Sequence, residues 1–301
     1  MVEVNPPGSG ERGRVAVVIP CFNDGETVPA AVRSAAAQDR LDELVVVDDG
    51  STDPSTIAVL ARLEETGVRV ARRANGGLGL ARMTGVEATS ADYVFPLDAD
   101  DRLLPGALSA LADKLDANPG LALVWGDYQL FGTRHYLQRT ADTLDRWQIT
   151  YQNDLPASAL VRRSALLAAG GWELRGGYED WDLWMALAER GERGARVPLV
   201  VYEYRQHGPR MLGDSANKHG DTYRLLQTRH VQLFADRRRA WRQSQAPLPL
   251  RVMLPVIFSL PLSASHRRQI AGAANHVAHR RGLRLLASRV RSNGRHAAPS
   301  D

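Results

Sequence analysis

The sequence predicts an α/β fold in which a mostly parallel sheet is flanked by helices. Short runs rich in valine, at residues 14–19 and 43–47, have the continuous apolar character of strands that are buried on both faces. Two further strands are expected at residues 68–71 and 92–97, and helical segments separate the four runs. Strands that alternate with helices favour parallel pairing through right-handed crossovers.

The helical segments between these strands carry boundary signals of their own. In the first, residues 26–38, apolar side chains recur at helical spacing. The second is expected to begin at Pro54, because proline suits the first turn of a helix, and to run to about Thr66. We expect Asp53, directly before this proline, to cap the helix rather than to bind a ligand.

Three regions follow from the composition along the chain. Residues 1–13 are polar and contain several glycines and prolines, which predicts a flexible N-terminus. Residues 14–220 hold the alternating strands and helices and form the predicted α/β domain. Residues 221–301 form a predicted helical extension, with thirteen arginines from Arg237 to Arg295 and no Asp, Glu or Lys between them. This Arg-rich tail is expected either to contact an anionic membrane surface, a nucleic acid or an acidic partner, or to form a solvated helical face.

Composition excludes several classes of protein. The 301 residues are 44% hydrophobic and 24% charged, a globular balance rather than a disordered one. Cys21 is the only cysteine, so neither an intrachain disulfide nor a cysteine zinc site can form. The N-terminus lacks an apolar signal core, and the most apolar stretch, 248–262, is too short and too rich in proline to span a membrane. We therefore expect a cytoplasmic protein, with peripheral contact at the inner face of the membrane left open.

Polar loops follow three of the predicted strands. Residues 21–24, 48–51 and 98–101 come after the first, second and fourth strands, and the last two loops carry clustered aspartates. Ligands of an open parallel sheet bind beyond the carboxyl ends of its strands, so we expect these loops to meet at one mouth. Clustered carboxylates repel one another, and a cation such as Mg²⁺ or Mn²⁺ relieves that repulsion. Capping and turn formation are the alternative roles for such aspartates.

Four motifs in the first two thirds of the chain resemble those of family 2 glycosyltransferases, which have the Rossmann-like, nucleotide-binding GT-A fold. In chain order they are Val-Val-Ile-Pro-Cys-Phe-Asn at 17–23 with Val-Val-Val-Asp-Asp-Gly-Ser-Thr-Asp at 45–53, Asn-Gly-Gly at 75–77 with Ala-Arg at 81–82, Leu-Asp-Ala-Asp-Asp at 97–101, and Gly-Tyr-Glu-Asp-Trp-Asp-Leu-Trp at 177–184. The resemblance is specific because all four occur in the family's order. It implies inverting transfer of a sugar from a nucleotide sugar, assisted by a divalent metal.

The resemblance assigns four residues to the donor side of the site. Pro20 and Asp49 would line the nucleotide-sugar site, with Asp49 on the base of the nucleotide. Arg82 would face the diphosphate, a natural role for a guanidinium group. Asp98 would contact the ribose or the surroundings of the metal.

Three further residues are assigned to the metal. The Asp-x-Asp motif implies that Asp100 is the direct ligand of Mg²⁺ or Mn²⁺ and that Asp101 supports it. His207 stands where related enzymes often place a histidine near the metal or the diphosphate. A structural hydrogen-bonding role is the alternative for this histidine.

Asp180, in the last motif, is the predicted catalytic base. An acceptor hydroxyl loses a proton as it attacks, so a carboxylate has to lie within hydrogen-bond reach of it. The position at a helix N-terminus favours an ionised side chain. Glu179, expected to support the site, and Asp182 are the rivals for the same role, and helix capping is the alternative for Asp180. Residues 151–158 are expected to line the acceptor side.

Several alternatives remain for the function. The expected acceptor is a hydroxyl of a carbohydrate, a glycolipid or a natural product. The main alternative is a polyprenyl-phosphate sugar transferase, which needs no base because a phosphate acceptor is already ionised. A nucleotidyltransferase would require a Gly-rich, Lys-bearing phosphate loop, which residues 20–27 do not provide. Binding of nucleic acid through the Arg-rich tail would leave the acidic loops without a role, so no nucleic-acid partner is expected.

Overall fold

The computed structural model describes residues 12–206, 219–263, 266–267 and 269–274. His207, most of the predicted N-terminal segment and the end of the Arg-rich tail lie outside these residues. Within the described part, the strands form a nine-stranded sheet in the order β3-β2-β1-β4-β8-β6-β9-β5, with β7 paired to β6. The strands are β1 (Val15–Cys21), β2 (Glu43–Asp48), β3 (Arg69–Arg72), β4 (Tyr93–Pro96), β5 (Arg102–Leu103), β6 (Leu123–Gly132), β7 (Tyr136–Gln138), β8 (Leu160–Arg162) and β9 (Gly194–Gln206).

Helices cover both faces of this sheet. They are α1 (Val28–Ala36), α2 (Pro54–Glu65), α3 (Leu78–Glu87), α4 (Ala107–Asp116), α5 (Arg163–Ala168), α6 (Glu179–Glu189), α7 (His219–Arg229), α8 (Val231–Ala235), α9 (Arg237–Gln243) and α10 (Leu248–Ser259), with a short 3₁₀ helix at Gln148–Thr150. The mixed α/β architecture, with helices on a mostly parallel sheet, confirms the predicted fold class.

The first four strands match the sequence prediction. β1 pairs in parallel with β2 and β4, and β2 pairs in parallel with β3. All seven residues of β1 are buried, as the continuous apolar run predicts. Asp53 caps α2 through its carboxylate, which accepts hydrogen bonds from the backbone N–H groups of Ser55 and Thr56. Hydrogen bonds from these two residues lower the pKa of Asp53 to about 2, so its predicted capping role is confirmed.

The alternating side chains of β1 divide the core between the two faces of the sheet. Val15, Val17 and Ile19 pack with α1 and α4 on one face. Val18 points to the other face, among side chains of α3 and α6. Gly85 of α3 lies so close to Val18 that a β-carbon at this position would clash with the valine methyl groups. Consequently α3 and α6, which carry predicted site residues, share one face of the sheet.

The second half of the sheet is mixed. β8 is antiparallel to both β4 and β6, and β6 then runs parallel to the long strand β9. The short strand β5 pairs antiparallel with β9, in register between Arg102 and Glu203. The end of β9 is thereby brought next to the acidic loop that follows β4.

The helices after residue 219 pack against the α/β domain. Leu226 and Leu233 are fully buried and belong to the same core cluster as α6. The Tyr223 hydroxyl donates to the carbonyl oxygen of Thr150 at 2.5 Å, and the Arg237 guanidinium donates to the same oxygen at 2.6 Å. The described beginning of the extension therefore has a packed inner face. None of the helices in the described ranges is long and apolar enough to cross a membrane.

Candidate active site

The predicted donor residues meet at the carboxyl ends of the parallel strands. Pro20 lies near the end of β1, opposite Val47 of β2. The backbone N–H of Asp49 donates to Cys21 at 2.9 Å, and that of Leu97 donates to Val18 at 2.9 Å. These bonds bring the loops after β1, β2 and β4 to the same edge of the sheet, as the sequence predicts.

Asp49 organises the loop that leads into α3. Its buried carboxylate accepts hydrogen bonds from the backbone N–H groups of Gly76, at 3.1 Å, and Gly77, at 2.7 Å, and forms an ion pair with Arg73. Gly77 has a φ of 91°, a left-handed conformation that favours glycine. The loop is therefore fixed by the same carboxylate that is predicted to contact the nucleotide base, and that contact stays a prediction.

Arg82 connects the Asp-x-Asp loop to the helix that carries the predicted base. Its guanidinium is fully buried and donates to Asp98 at 2.8 Å and to Glu179 at 3.1 Å. The charge also lies 5.6 Å from the centre of the Trp172 ring. Burial alone would lower the pKa of Arg82, but Asp98 and Glu179 raise it above its ordinary value, so the side chain stays cationic. Its predicted contact with the diphosphate is untested.

Asp101 lies behind this loop as a buried carboxylate. One oxygen accepts a hydrogen bond from the backbone N–H of Arg205 at 2.8 Å, and the other is buried without a hydrogen-bond partner. Burial, followed by repulsion from Asp98 and Asp100, raises the pKa of Asp101 well above its ordinary value. The Arg205 guanidinium also donates to the backbone carbonyl of Asp100 at 3.2 Å, so β9 holds the acidic loop in place.

The metal site predicted at the acidic loop stays a prediction. Within the described ranges, no group of three or more His, Cys, Asp or Glu side chains is arranged to hold a metal ion. However, Asp98 and Asp100 both repel the carboxylate of Asp101, and Asp101 has a buried oxygen without a hydrogen-bond partner. Mg²⁺ is usually held by one or two carboxylates together with substrate phosphates, so these residues fit a metal that binds with a diphosphate.

Asp180 lies in the first turn of α6, close to the Arg82 network. The residue before the helix, Tyr178, has a φ of 65° and makes no side-chain cap, and the Asn153 amide donates to the Asp180 carboxylate at 2.9 Å. Burial, and then repulsion from Glu179, raise the pKa of Asp180 to about 6, while Arg82 opposes this rise. The raised pKa makes this carboxylate a stronger base than an ordinary aspartate.

The two rivals of Asp180 are engaged elsewhere. Glu179 is paired with Arg82. The carboxylate of Asp182 is buried and accepts hydrogen bonds from Arg229, at 2.8 and 3.0 Å, and from His230, at 2.9 Å. Burial alone would raise the pKa of Asp182, but these two partners lower it. Asp182 therefore has a structural role, and of the three carboxylates Asp180 is the best placed to act as a base.

Sequence reasoning singled out neither Arg205 nor the Arg229–His230 pair, and it included Asn153 only as part of segment 151–158. These residues contact predicted site residues that are distant in the sequence, and no local motif marks them. Segment 151–158 was expected at the acceptor side, and Asn153 does reach Asp180. Tyr151 does not face that side, because it is buried beside Trp147 and the C-terminal helices.

Comparisons with known proteins agree with this geometry. The model of the family described as Glycosyl transferase family 2 matches residues 16–167. The undecaprenyl-phosphate 4-deoxy-4-formamido-L-arabinose transferase of Pseudomonas syringae pv. syringae is 30% identical over 259 residues, which are 82% of this chain and 70% of that protein. The chondroitin synthase of Escherichia coli is 27% identical over 207 residues, 64% of this chain but only 29% of that protein.

The fold also matches a solved structure. The structure of S. aureus TarS 1-349 in complex with UDP-GlcNAc superposes with a TM-score of 0.61 and 18% sequence identity, covering 88% of this chain and 72% of the other. That likeness shows the GT-A fold. Taken with the family match over half of the sequence, it shows that the chain is a glycosyltransferase and belongs to glycosyl transferase family 2.

Proposed function

We propose that this glycosyltransferase moves a sugar from a nucleoside-diphosphate sugar to an acceptor hydroxyl, with inversion at the anomeric carbon. The observation that carries the proposal is the Arg82 bridge, which joins Asp98 of the acidic loop to Glu179 of α6. Through this bridge, one buried cation couples the predicted diphosphate side to the residue next to the proposed base. Donor and acceptor groups are thereby held on adjoining elements.

On the donor side, Pro20, Asp49 and Asp98 would line the nucleotide and its ribose. Asp100, supported by Asp101, would hold Mg²⁺ or Mn²⁺, which would neutralise the charge that develops on the departing nucleoside diphosphate. His207 remains a candidate second ligand. Arg82 adds a fixed positive charge behind the loop. The TarS structure holds UDP-GlcNAc, so this is the first donor to test.

On the acceptor side, Asp180 would act as the general base. As the acceptor oxygen bonds to the anomeric carbon, the bond from that carbon to the diphosphate oxygen breaks and the hydroxyl proton passes to the Asp180 carboxylate. Asn153 donates to one oxygen of this carboxylate at 2.9 Å and would orient it toward the hydroxyl. A single displacement of this kind inverts the anomeric configuration and needs one base.

A second function is favoured by one of the comparisons. The relative from Pseudomonas syringae is named as an undecaprenyl-phosphate transferase, and its similarity extends over 82% of this chain. A polyprenyl-phosphate acceptor would be ionised before it attacks, so Asp180 would not be required as a base. The acceptor thus separates the two functions.

A donor and acceptor screen tests the proposal. The melting temperature of the protein is measured with UDP, dTDP and GDP sugars, with Mn²⁺ or with EDTA, because a ligand of the native state raises it according to its affinity. Nucleotide release is then measured with sugar, glycolipid and polyprenyl-phosphate acceptors, and the anomeric configuration of the product is read by NMR. Transfer to a hydroxyl with inversion supports the proposal. Retention of configuration, or transfer to polyprenyl phosphate alone, contradicts it.

A further inference from the structure

Helix α10 is apolar on the face that packs on the protein and also on the face that is exposed. Leu250, Leu254 and Ile257 are buried against the rest of the chain. Turned away from them, Val252 and Val256 remain 58% and 54% exposed. Leu248 and Met253 of the same helix are also exposed, as is Leu260, which directly follows it. A helix that is apolar all round normally has apolar surroundings on every side, so within the part of the chain that the structure describes the outer face of α10 lacks its partner.

Exposed basic and aromatic side chains lie on the neighbouring helix α9. Trp241 of α9 is 39% exposed and donates from its indole N–H to the Arg251 carbonyl of α10 at 3.2 Å. The Arg251 guanidinium lies 4.7 Å from the Trp241 ring centre, so the two helices are fixed side by side. Three arginines of α9 are also exposed, namely Arg238, Arg239 and Arg242.

We propose that the outer face of α10, together with Trp241 and the exposed arginines of α9, docks on an anionic lipid bilayer with α10 lying in the plane of the membrane. The 12 residues of α10 span about 18 Å, too short for a bilayer core of about 30 Å, which excludes a spanning orientation. An interfacial helix buries an apolar face in the headgroup region while basic residues attract anionic lipids. Tryptophan is favoured at the same depth. This docking goes beyond the proposed transfer reaction.

Charge favours a bilayer over the other occupants of an apolar face. In a symmetric dimer through this surface, the arginines of the two copies would meet, and like charges would repel. Nucleic acid would satisfy the arginines but leave Val252 and Val256 exposed to water. An anionic bilayer provides both negative headgroups and an apolar layer.

The docking surface is joined to the candidate active site by aromatic side chains in contact with one another. Phe258, on α10, lies 5.9 Å from Tyr223, which lies 5.7 Å from Trp181, measured between ring centres. Trp181 directly follows Asp180 in α6. A bilayer under α10 would therefore be held at a fixed position relative to the proposed base.

Tryptophan fluorescence offers a direct test on the full-length protein. The other five tryptophans of the chain are at most 4% exposed, so quenching by brominated lipid reports on Trp241. Vesicles of brominated phosphatidylcholine mixed with phosphatidylglycerol should quench the fluorescence and sediment the protein at low salt, whereas phosphatidylcholine alone should do neither. Trp241→Phe should remove most of the quenching while the protein still sediments.

Surface variants separate the two parts of the proposal. The double change Val252→Ser and Val256→Ser should weaken binding roughly 10-fold, because the apolar contact is lost. Changing Arg238, Arg239 and Arg242 to Gln should weaken it roughly 100-fold at low salt. Ile57→Ser, at a 48% exposed position of α2, is the matched control and should bind like wild type.

Three results would overturn the proposal. One is a wild-type protein that does not sediment with anionic vesicles at low salt. Another is vesicle binding that causes no quenching and is unchanged by the two valine substitutions, since the arginines alone would then explain the binding. The third is a protein that does not bind vesicles but forms a dimer in analytical ultracentrifugation, with the dimer dissociated by the two valine substitutions. None of these readouts requires sugar transfer, so failure of the docking proposal and failure of the proposed function are distinguishable.

Discussion

Asp180→Asn should slow catalysis and stabilise the protein at the same time. Burial and the neighbouring Glu179 raise the pKa of Asp180 from 3.8 to about 6. At about 1.4 kcal/mol for each pKa unit, the charged carboxylate destabilises the native state by up to about 3 kcal/mol at pH 7. Asparagine removes that charge and has nearly the same shape, so the free energy of unfolding should rise.

The sign of the effect depends on pH. Because the folded pKa of Asp180 lies above the unfolded value, the penalty is complete above about pH 6 and absent below about pH 3.8. The stability advantage of Asp180→Asn should therefore fall to roughly half at pH 5. Urea denaturation of both proteins at pH 7 and at pH 5 measures it.

The catalytic part is measured on the same two proteins. Loss of the general base should lower the transfer rate by about 10²- to 10⁴-fold while nucleotide affinity stays near wild type. The wild-type rate should fall about tenfold per pH unit below about pH 6, as Asp180 takes up a proton, and the variant should lack this dependence. Transfer by Asp180→Asn at the wild-type rate, or a lower stability at pH 7, would refute the reasoning.

Asp182→Asn is the matched control, since the same substitution two residues away should have the opposite effect on stability. Asp182 is held by Arg229 and His230, and these partners lower its pKa. Removing the charge should cost about 1–3 kcal/mol of stability and leave the pH dependence of the remaining activity unchanged. If Asp182→Asn instead removes the acid limb of the pH profile, Asp182 is the base.

Three further predictions concern the metal, the packing and the buried arginine. Asp100→Asn should weaken Mn²⁺-dependent nucleotide binding at least about 10-fold by calorimetry, and equal wild-type affinities in Mn²⁺ and EDTA would remove the metal role. Gly85→Ala should lower the melting temperature, since the clash with Val18 costs about 1–3 kcal/mol against about 1 kcal/mol of gained helix propensity; an unchanged melting temperature would contradict the packing. In Arg82→Lys, a single ammonium group replaces the planar guanidinium and cannot pair with both Asp98 and Glu179. Transfer should therefore fall about 10-fold or more, and a wild-type rate would contradict a role for this bridge.

The first half of the fold could be predicted from sequence because its signals are local. Buried parallel strands read as continuous apolar runs, and the cap at Asp53 lies next to the proline that begins α2. The aspartates could be placed together because the carboxyl ends of parallel strands share an edge. The antiparallel insertion of β8 between β4 and β6 has no such signal, since pairing over a long sequence distance depends on tertiary packing.

The electrostatics of the site depended on contacts that only the fold provides. Asp182 belongs to the same motif, residues 177–184, as the proposed base Asp180, and the two residues have equally acidic neighbours in the sequence. What separates them is Arg229 and His230, which lie 47 and 48 residues further along the chain. Similarly, the sequence shows that Arg82 is charged but not that its side chain is buried. Burial places it between Asp98 and Glu179, where it connects the acidic loop to α6.

The position of the base depends on a part of the chain beyond the family match. That match ends at residue 167, whereas Asp180 lies beyond it in α6. The first turn of α6 is fixed on one side by the bond from the Trp181 indole to the Ile149 carbonyl, at 2.8 Å. On the other side, α7 and α8 hold Asp182 through Arg229 and His230. In the proposed reaction the acceptor is deprotonated at this turn, and the C-terminal helices would then be part of the catalytic architecture rather than an appendage to the nucleotide-binding domain.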